Sequence, residues 1–197
     1  ENRVAKLRQT RLTMRLNANA CPANVGDVVH GTYEIIGVLG QGAFGKVFQA
    51  RHKHLGSDVA LKMLMATGDQ SQQTVAIKQF LEEARTLHQL KHRNLPRVTD
   101  FFEERQTAFI VMDYISGESL QRIVETQGPL SQDRVFEYVR QVLEALEYLH
   151  GLTPPVVVRD LKPDNIMVTG SEVHVIDFGI AKKLSLIHIS EPTRPER

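Results

Sequence analysis

The chain has a single cysteine, Cys21, among 197 residues. One thiol cannot build a disulfide framework or a cysteine-based zinc site within the chain, and it accords with a reducing, cytoplasmic setting. No apolar run approaches the ~18 residues of a membrane-spanning helix, although a span further C-terminal is compatible with this. The N-terminus also lacks the apolar core of a secretory signal. Charge of one sign is scarce: 24 Lys and Arg against 23 Asp and Glu leave +1 at pH 7. Bulk electrostatics therefore draws the chain neither to nucleic acid nor to an anionic membrane. The eight histidines, among them His88, His92 and His150, have no metal-ligand spacing and read as surface or packing residues. What is present is the material of a globular domain: 42% hydrophobic and 24% charged residues, enough for one domain with an extension.

Four segments follow from the texture. Residues 1–31 begin basic (Arg3, Lys6, Arg8, Arg11, Arg15) with only a weak apolar stripe, and read as a solvated extension. Residues 32–115 are strand-rich. Strands are expected at 33–39, 46–51, 59–64, 98–103 and 108–112, from their β-branched and apolar residues and the polar turns between them. A polar loop is expected at 68–73. After it, Ile77, Phe80, Ala84, Leu87 and Leu90 have helical spacing. Residues 116–183 follow a linker at 113–117. They open with a short helix near 119–126, then a longer one capped by Ser131 and stopped by Gly151, with Val135, Val139, Val142, Leu143, Leu146 and Leu149 on one face. Short apolar runs at 156–158, 166–168 and 173–176 complete this part. Residues 184–194 spell LSLIHISEPTR, which resembles a translated transposon-end adapter from sequencing libraries. Residues 184–197 are therefore expected to be a non-native tail and are set apart from fold and function. The chain also opens on Glu1 rather than Met, so its true start is expected upstream.

Four elements carry chemistry. Gly40-Gln41-Gly42-Ala43-Phe44-Gly45-Lys46-Val47 fits G-x-G-x-x-G-x-V. A dinucleotide site needs a helix directly after such glycines, whereas residues 46–50 look like a strand, as in a hairpin folded over phosphates. A Cβ there would hold backbone amides away from phosphate oxygens; a plain tight hairpin is the alternative. Lys62 ends an apolar strand and needs an anionic partner. Of the two glutamates on the following helix, Glu83 shares the stripe of Phe80, Leu87 and Leu90, while Glu82 has polar neighbours and faces water. In Arg159-Asp160-Leu161-Lys162-Pro163-Asp164-Asn165, Asp160 can orient a hydroxyl and take its proton, Lys162 can neutralise a phosphate in flight, and Asn165 can bind magnesium. Asp177-Phe178-Gly179 places a carboxylate, a hard-metal ligand, at the mouth of an apolar strand.

Occurring together in this order, these elements resemble the eukaryotic-type (Hanks-type) serine/threonine protein kinase family over residues 31–183, and the loop-poor layout resembles its bacterial members. The resemblance implies an α+β, protein-kinase-like fold. Its N-lobe would be complete, five strands with one main helix, and it would be joined to the start of a mainly helical C-lobe. It implies ATP and Mg2+ as cofactors and Ser/Thr hydroxyls of proteins as acceptors. Gly40, Gly42 and Gly45 would cover the phosphates, and Val47 and Ala60 would pack on adenine. Lys62 and Glu83 would form an ion pair. Met112 would be the gatekeeper, with Asp113 to Ile115 as the hinge whose backbone binds adenine. Asp160 would be the catalytic base, Lys162 its neighbour at the γ-phosphate, and Asn165 and Asp177 the metal ligands. Val158 stands where the family has histidine, and a looser but active site is expected. A pseudokinase-like nucleotide-binding regulatory module is the alternative, opposed by the presence of Lys62, Glu83, Asp160, Asn165 and Asp177. The family domain runs longer than this chain's share of it, so the 197 residues alone are expected to be inactive.

Overall fold

The computed structural model describes residues 23–42, 45–65 and 69–176. The Asp177-Phe178-Gly179 triplet and residues 184–197 lie outside that set. In chain order the elements are strands β1 (Val28–Val29), β2 (Tyr33–Gly42), β3 (Gly45–His52) and β4 (Asp58–Leu64), helix α1 (Gln70–His88), strands β5 (Val98–Glu104), β6 (Thr107–Asp113) and β7 (Glu118–Ser119), helices α2 (Leu120–Gln127) and α3 (Gln132–His150), a 3-10 turn Pro163–Asn165, and strands β8 (Ile166–Thr169) and β9 (Glu172–Val175). One antiparallel sheet runs β1-β2-β3-β4-β6-β5 and a second runs β7-β8-β9.

The five expected strands of the upper lobe are all present. A sixth, β1, is added at the edge by residues assigned to the extension. Gly26 N–H donates to Ile35 O (2.8 Å) and Ile35 N–H to Asp27 O (2.9 Å). Ala23 and Val29 are fully buried, so the extension joins the sheet before residue 31.

Period-two alternation gives this sheet two cores. Phe48, Leu61, Met63, Phe109 and Val111 face one side, closed by Ala23, Val29, Tyr33 and Phe102. Leu64 and Ile110 face the other, against Ile77, Phe80, Ala84 and Leu87 of α1. A register shift between Val98 and Asp100 in β5 lets Val98 serve the α1 side and Phe102 the opposite one.

Helix α1 begins four residues before the expected position 74, inside the expected loop. Asp69 caps it: its side chain accepts from Gln72 N–H while Gln72 Oε1 accepts from Asp69 N–H. This reciprocal bonding satisfies two donors at once and lets a polar segment start a helix. The expected single apolar face of α3 resolves into two. Tyr138, Gln141, Val142, Ala145 and Leu149 are buried, whereas Val135, Val139 and Leu143 are exposed together with Phe136. Ser131 and Gly151 cap this helix as expected.

Candidate functional site

The glycine-rich stretch is the hairpin between β2 and β3, with Gly40 opposite Val47, Gln41 opposite Lys46 and Gly42 opposite Gly45. Its glycines have different reasons. A Cβ on Gly45 would lie 2.4 Å from Met63 O of the adjoining strand, so the close approach of β4 alone requires glycine there. At Gly40 and Gly42 nothing among the described residues lies within 4 Å of such a Cβ; those positions are open on one side, as a surface that accepts a ligand would be. Ala43 and Phe44 at the tip lie outside the described residues.

Register places the next residues. Val47 pairs with Lys62 and Lys62 with Ile110; Ala60 pairs with Gln49 and Met112. Directly opposed residues share a face, and so do residues two apart. Val47, Ala60, Lys62, Ile110 and Met112 therefore all face the α1 side of the sheet. Lys62 is half-buried there, next to Leu64 and Ile110 of the apolar core. From α1, Glu83 is half-buried with Oε1 shielded from solvent, while Glu82 is exposed. Lys62 and Glu83 thus enter the same sheet–helix interface, and neither is without a partner.

β6 ends in Met112 and Asp113, and residues 114–117 carry the chain to the lower sheet. Met112, Asp113 and Ile115 are half-buried. The link is pinned from below: Thr169 Oγ1 donates to Ser116 O (2.8 Å), and a Cβ on Gly117 would lie 2.2 Å from Val168 O. Asp113 is also clamped by Arg97, whose Nε and Nη2 donate to its two carboxylate oxygens at 2.9 and 3.4 Å.

The residues of the 159–165 loop come together around one carboxylate. Lys162 Nζ lies 2.8 Å from Asp160 Oδ2. The buried Asn165 donates through Nδ2 to Asp160 O (2.8 Å) and to Asp160 Oδ2 (3.2 Å). The hydrogen bond from Lys162 is the main reason the Asp160 carboxyl lies below the usual carboxylate range, with the Lys162 charge and Asn165 adding to it against some desolvation. Asp160 is therefore a carboxylate at neutral pH. Because the Asn165 amide nitrogen is used on Asp160, its oxygen is the end left for a hard cation. Asp177 lies outside the described residues; its chain neighbour Ile176 donates its N–H to Asn165 O (3.0 Å). Among the described residues no three His, Cys, Asp or Glu side chains group as a metal site. Val158, in place of the family histidine, packs half-buried on the main core.

Sequence reasoning missed what holds β9, whose chain neighbour Ile176 bonds to Asn165 of this loop. Asn94, fully buried, donates through Nδ2 to Gln141 Oε1 (3.0 Å) and Val173 O (2.7 Å). Gln141 accepts from Val173 N–H (3.1 Å) and donates to Ser171 O (2.8 Å), and Val175 N–H donates to Asn94 O (2.9 Å). Two buried amides thus fasten β9 to α3 and to the loop after α1. The available signal was Gln141, a polar residue on the helix face that also carries Tyr138, Val142 and Ala145.

The family model of the protein kinase domain matches residues 33–191. Serine/threonine-protein kinase pkn3 of Myxococcus xanthus is 41% identical over 164 residues, 80% of this chain and 29% of that protein. Probable serine/threonine-protein kinase PknB of Lactococcus lactis is 33% identical over 163 residues, 82% of this chain and 25% of that protein. This chain therefore spans under a third of the length of either relative. Among solved structures, Rad53 1-466 in complex with AMP-PNP aligns with a TM-score of 0.66 at 31% identity, covering 76% of this chain and 38% of that one. The apo form of PpkA-294 aligns with a TM-score of 0.70 at 26% identity, covering 82% and 63%.

Proposed function

The chain belongs to the protein kinase domain family, and from that premise we propose that the protein transfers the γ-phosphate of ATP to serine or threonine hydroxyls of protein substrates. The observation that carries this reading is the Asp160–Lys162–Asn165 cluster, a carboxylate held ionised by a lysine and a buried amide. Asp160 orients the acceptor hydroxyl, and as a weak base it takes the proton late, when the attacking oxygen has become acidic. Lys162 sits where negative charge accumulates on the transferring phosphoryl group, and charge stabilisation of that kind supplies much of the rate in phosphoryl transfer. Asn165 and Asp177 are the residues that would hold Mg2+, which supplies neutralisation of the phosphate oxygens. The open side of Gly40 and Gly42 suits backbone amides that approach phosphates, while Val47, Ala60 and Met112 offer an apolar surface to adenine. The main chain of Asp113 and Ile115 supplies hydrogen bonds to the base, and Lys62 with Glu83 orients the α- and β-phosphates.

Among the described residues no helix is long and apolar enough to cross a membrane. Dependence on ATP and a single cysteine accord with a cytoplasmic domain. The test is Asp160→Asn in the full-length protein, with phosphate transfer to a protein acceptor and MgATP affinity measured side by side. Loss of transfer with affinity retained is expected. Undiminished transfer sinks the role of Asp160. MgATP binding with no transfer by the unmodified protein would install the nucleotide-binding regulatory reading instead.

A further inference from the structure

We propose that Arg97 is a positioning residue for the nucleotide: it takes the Asp113 carboxylate out of competition with adenine for the hinge main chain. This rests on the nucleotide-binding reading above.

The geometry around Asp113 is unusually complete for a surface pair. Arg97 Nε donates to Asp113 Oδ2 (2.9 Å), Nη2 to Oδ1 (3.4 Å), and the Arg97 backbone N–H to Oδ2 (3.2 Å). In return Asp113 N–H donates to Arg97 O (3.0 Å). Both carboxylate oxygens and the backbone N–H of Asp113 are thus committed to one residue, the one that precedes β5. As an ion pair open to water on the Arg97 side, where the side chain is 70% exposed, it adds little to stability. What a two-pronged guanidinium does supply is orientation.

Orientation matters here because of what a free aspartate does. Aspartate side chains readily accept from the backbone N–H two residues on. From Asp113 that N–H belongs to Ile115, the donor assigned to adenine. Left alone, the Asp113 carboxylate would close onto its own hinge and block it. Held by Arg97, both its oxygens are engaged and the Ile115 N–H is left to the base.

The experiment measures MgATP affinity and thermal stability for the unmodified protein, Arg97→Met, Arg97→Lys and the double variant Arg97→Met with Asp113→Ala. Arg97→Met should weaken MgATP binding about 3- to 10-fold, the loss of one competed hydrogen bond, with the melting temperature unchanged. Arg97→Lys should recover part of the loss, because an ammonium still attracts the carboxylate without forking onto it. The double variant should bind more tightly than Arg97→Met, since the competing carboxylate is gone. Unchanged affinity in Arg97→Met overturns the inference. A double variant as weak as or weaker than Arg97→Met also overturns it, because the pair would then act only as structure. Absence of MgATP binding by the unmodified protein removes the nucleotide reading and this inference with it, whereas binding with an unaffected Arg97→Met removes this inference alone.

Discussion

The upper sheet and the α3 end of the molecule bury themselves by different means. The sheet is covered on both faces: Phe48, Leu61, Met63 and Phe109 are at or below 1% exposure on one side, and α1 covers the other. Helix α3 covers Tyr138, Val142, Ala145 and Leu149, but among the described residues Phe136 is 63% and Leu143 58% exposed. The residues proposed to hold the nucleotide therefore stand on a frame closed by apolar contacts. Asp160 and Lys162 stand beside elements that share the α1-side apolar core through Val156, Ile166, Val168, Val173 and Val175 but carry buried polar ties as well: Asn94 to Gln141 and Val173, Val175 to Asn94, and Ile176 to Asn165. Apolar packing is spread over many contacts, whereas a buried amide network fails when one member is lost.

The largest expected effect tests the closed frame. Phe109 is fully buried and stacks on Phe102 with ring centres 5.2 Å apart. Phe109→Ala should cost about 3–5 kcal/mol, the usual range for emptying a buried aromatic site, read from urea unfolding. A loss below about 1 kcal/mol would mean that the sheet can collapse around the gap, and the contrast with α3 would dissolve.

The next effect tests the polar ties. Asn94→Ala removes the donor to Gln141 Oε1 and Val173 O and should cost about 1–3 kcal/mol through the acceptors it leaves short. The double-mutant cycle with Gln141→Ala should show a coupling of about 0.5–3 kcal/mol, as contacting residues of one network do. Hydrogen exchange should quicken at Val173 and Val175, whose amides donate to Gln141 and Asn94, before it quickens in β3 or β4. Additive effects of the two substitutions would show that the two amides act independently and that apolar packing alone holds these elements.

The same division governs how much could be read from the sequence. Strands β2 to β6 were legible because each is a short run of β-branched and apolar residues, continuous in β6, bounded by polar turns. The 159–165 loop was legible as a candidate site because its residue types are dense and closely spaced. Edge strand β1 was not, because Val28–Val29 is too short to carry a period and is fixed by distant partners, through bonds such as Ile35 N–H to Asp27 O and the burial of Val29. The early start of α1 was hidden in a polar run whose order comes from the Asp69–Gln72 reciprocal cap. The division of α3 into a buried and an exposed apolar face was illegible for a different reason: a helix apolar on both sides does not say which side meets the core. Arg97 and Asp113, like Asn94 and Gln141, are far apart in the chain, and local pattern holds no record of such pairs.

The smallest effect is visible only in alkali, and it returns to the closed sheet. Tyr33 on β2 is buried, stacks parallel to Phe102 (3°, 5.9 Å) and donates its hydroxyl to Asp100 Oδ2 at 3.0 Å. Burial first, then the hydrogen bond and charge of Asp100, push its phenol up to about 12 from an ordinary value of 10. The folded state therefore favours the neutral phenol more than the unfolded chain does. Its contribution is fully present below pH 10 and is lost as pH rises from 10 through about 12. Tyr33→Phe cannot ionise, so its unfolding midpoint should fall less steeply than that of the unmodified protein across this window. Other tyrosines and lysines titrate in both proteins and cancel in the difference. Parallel declines would mean that the phenol ionises alike in both states, and that this edge of the sheet is as open to water as the outer face of α3.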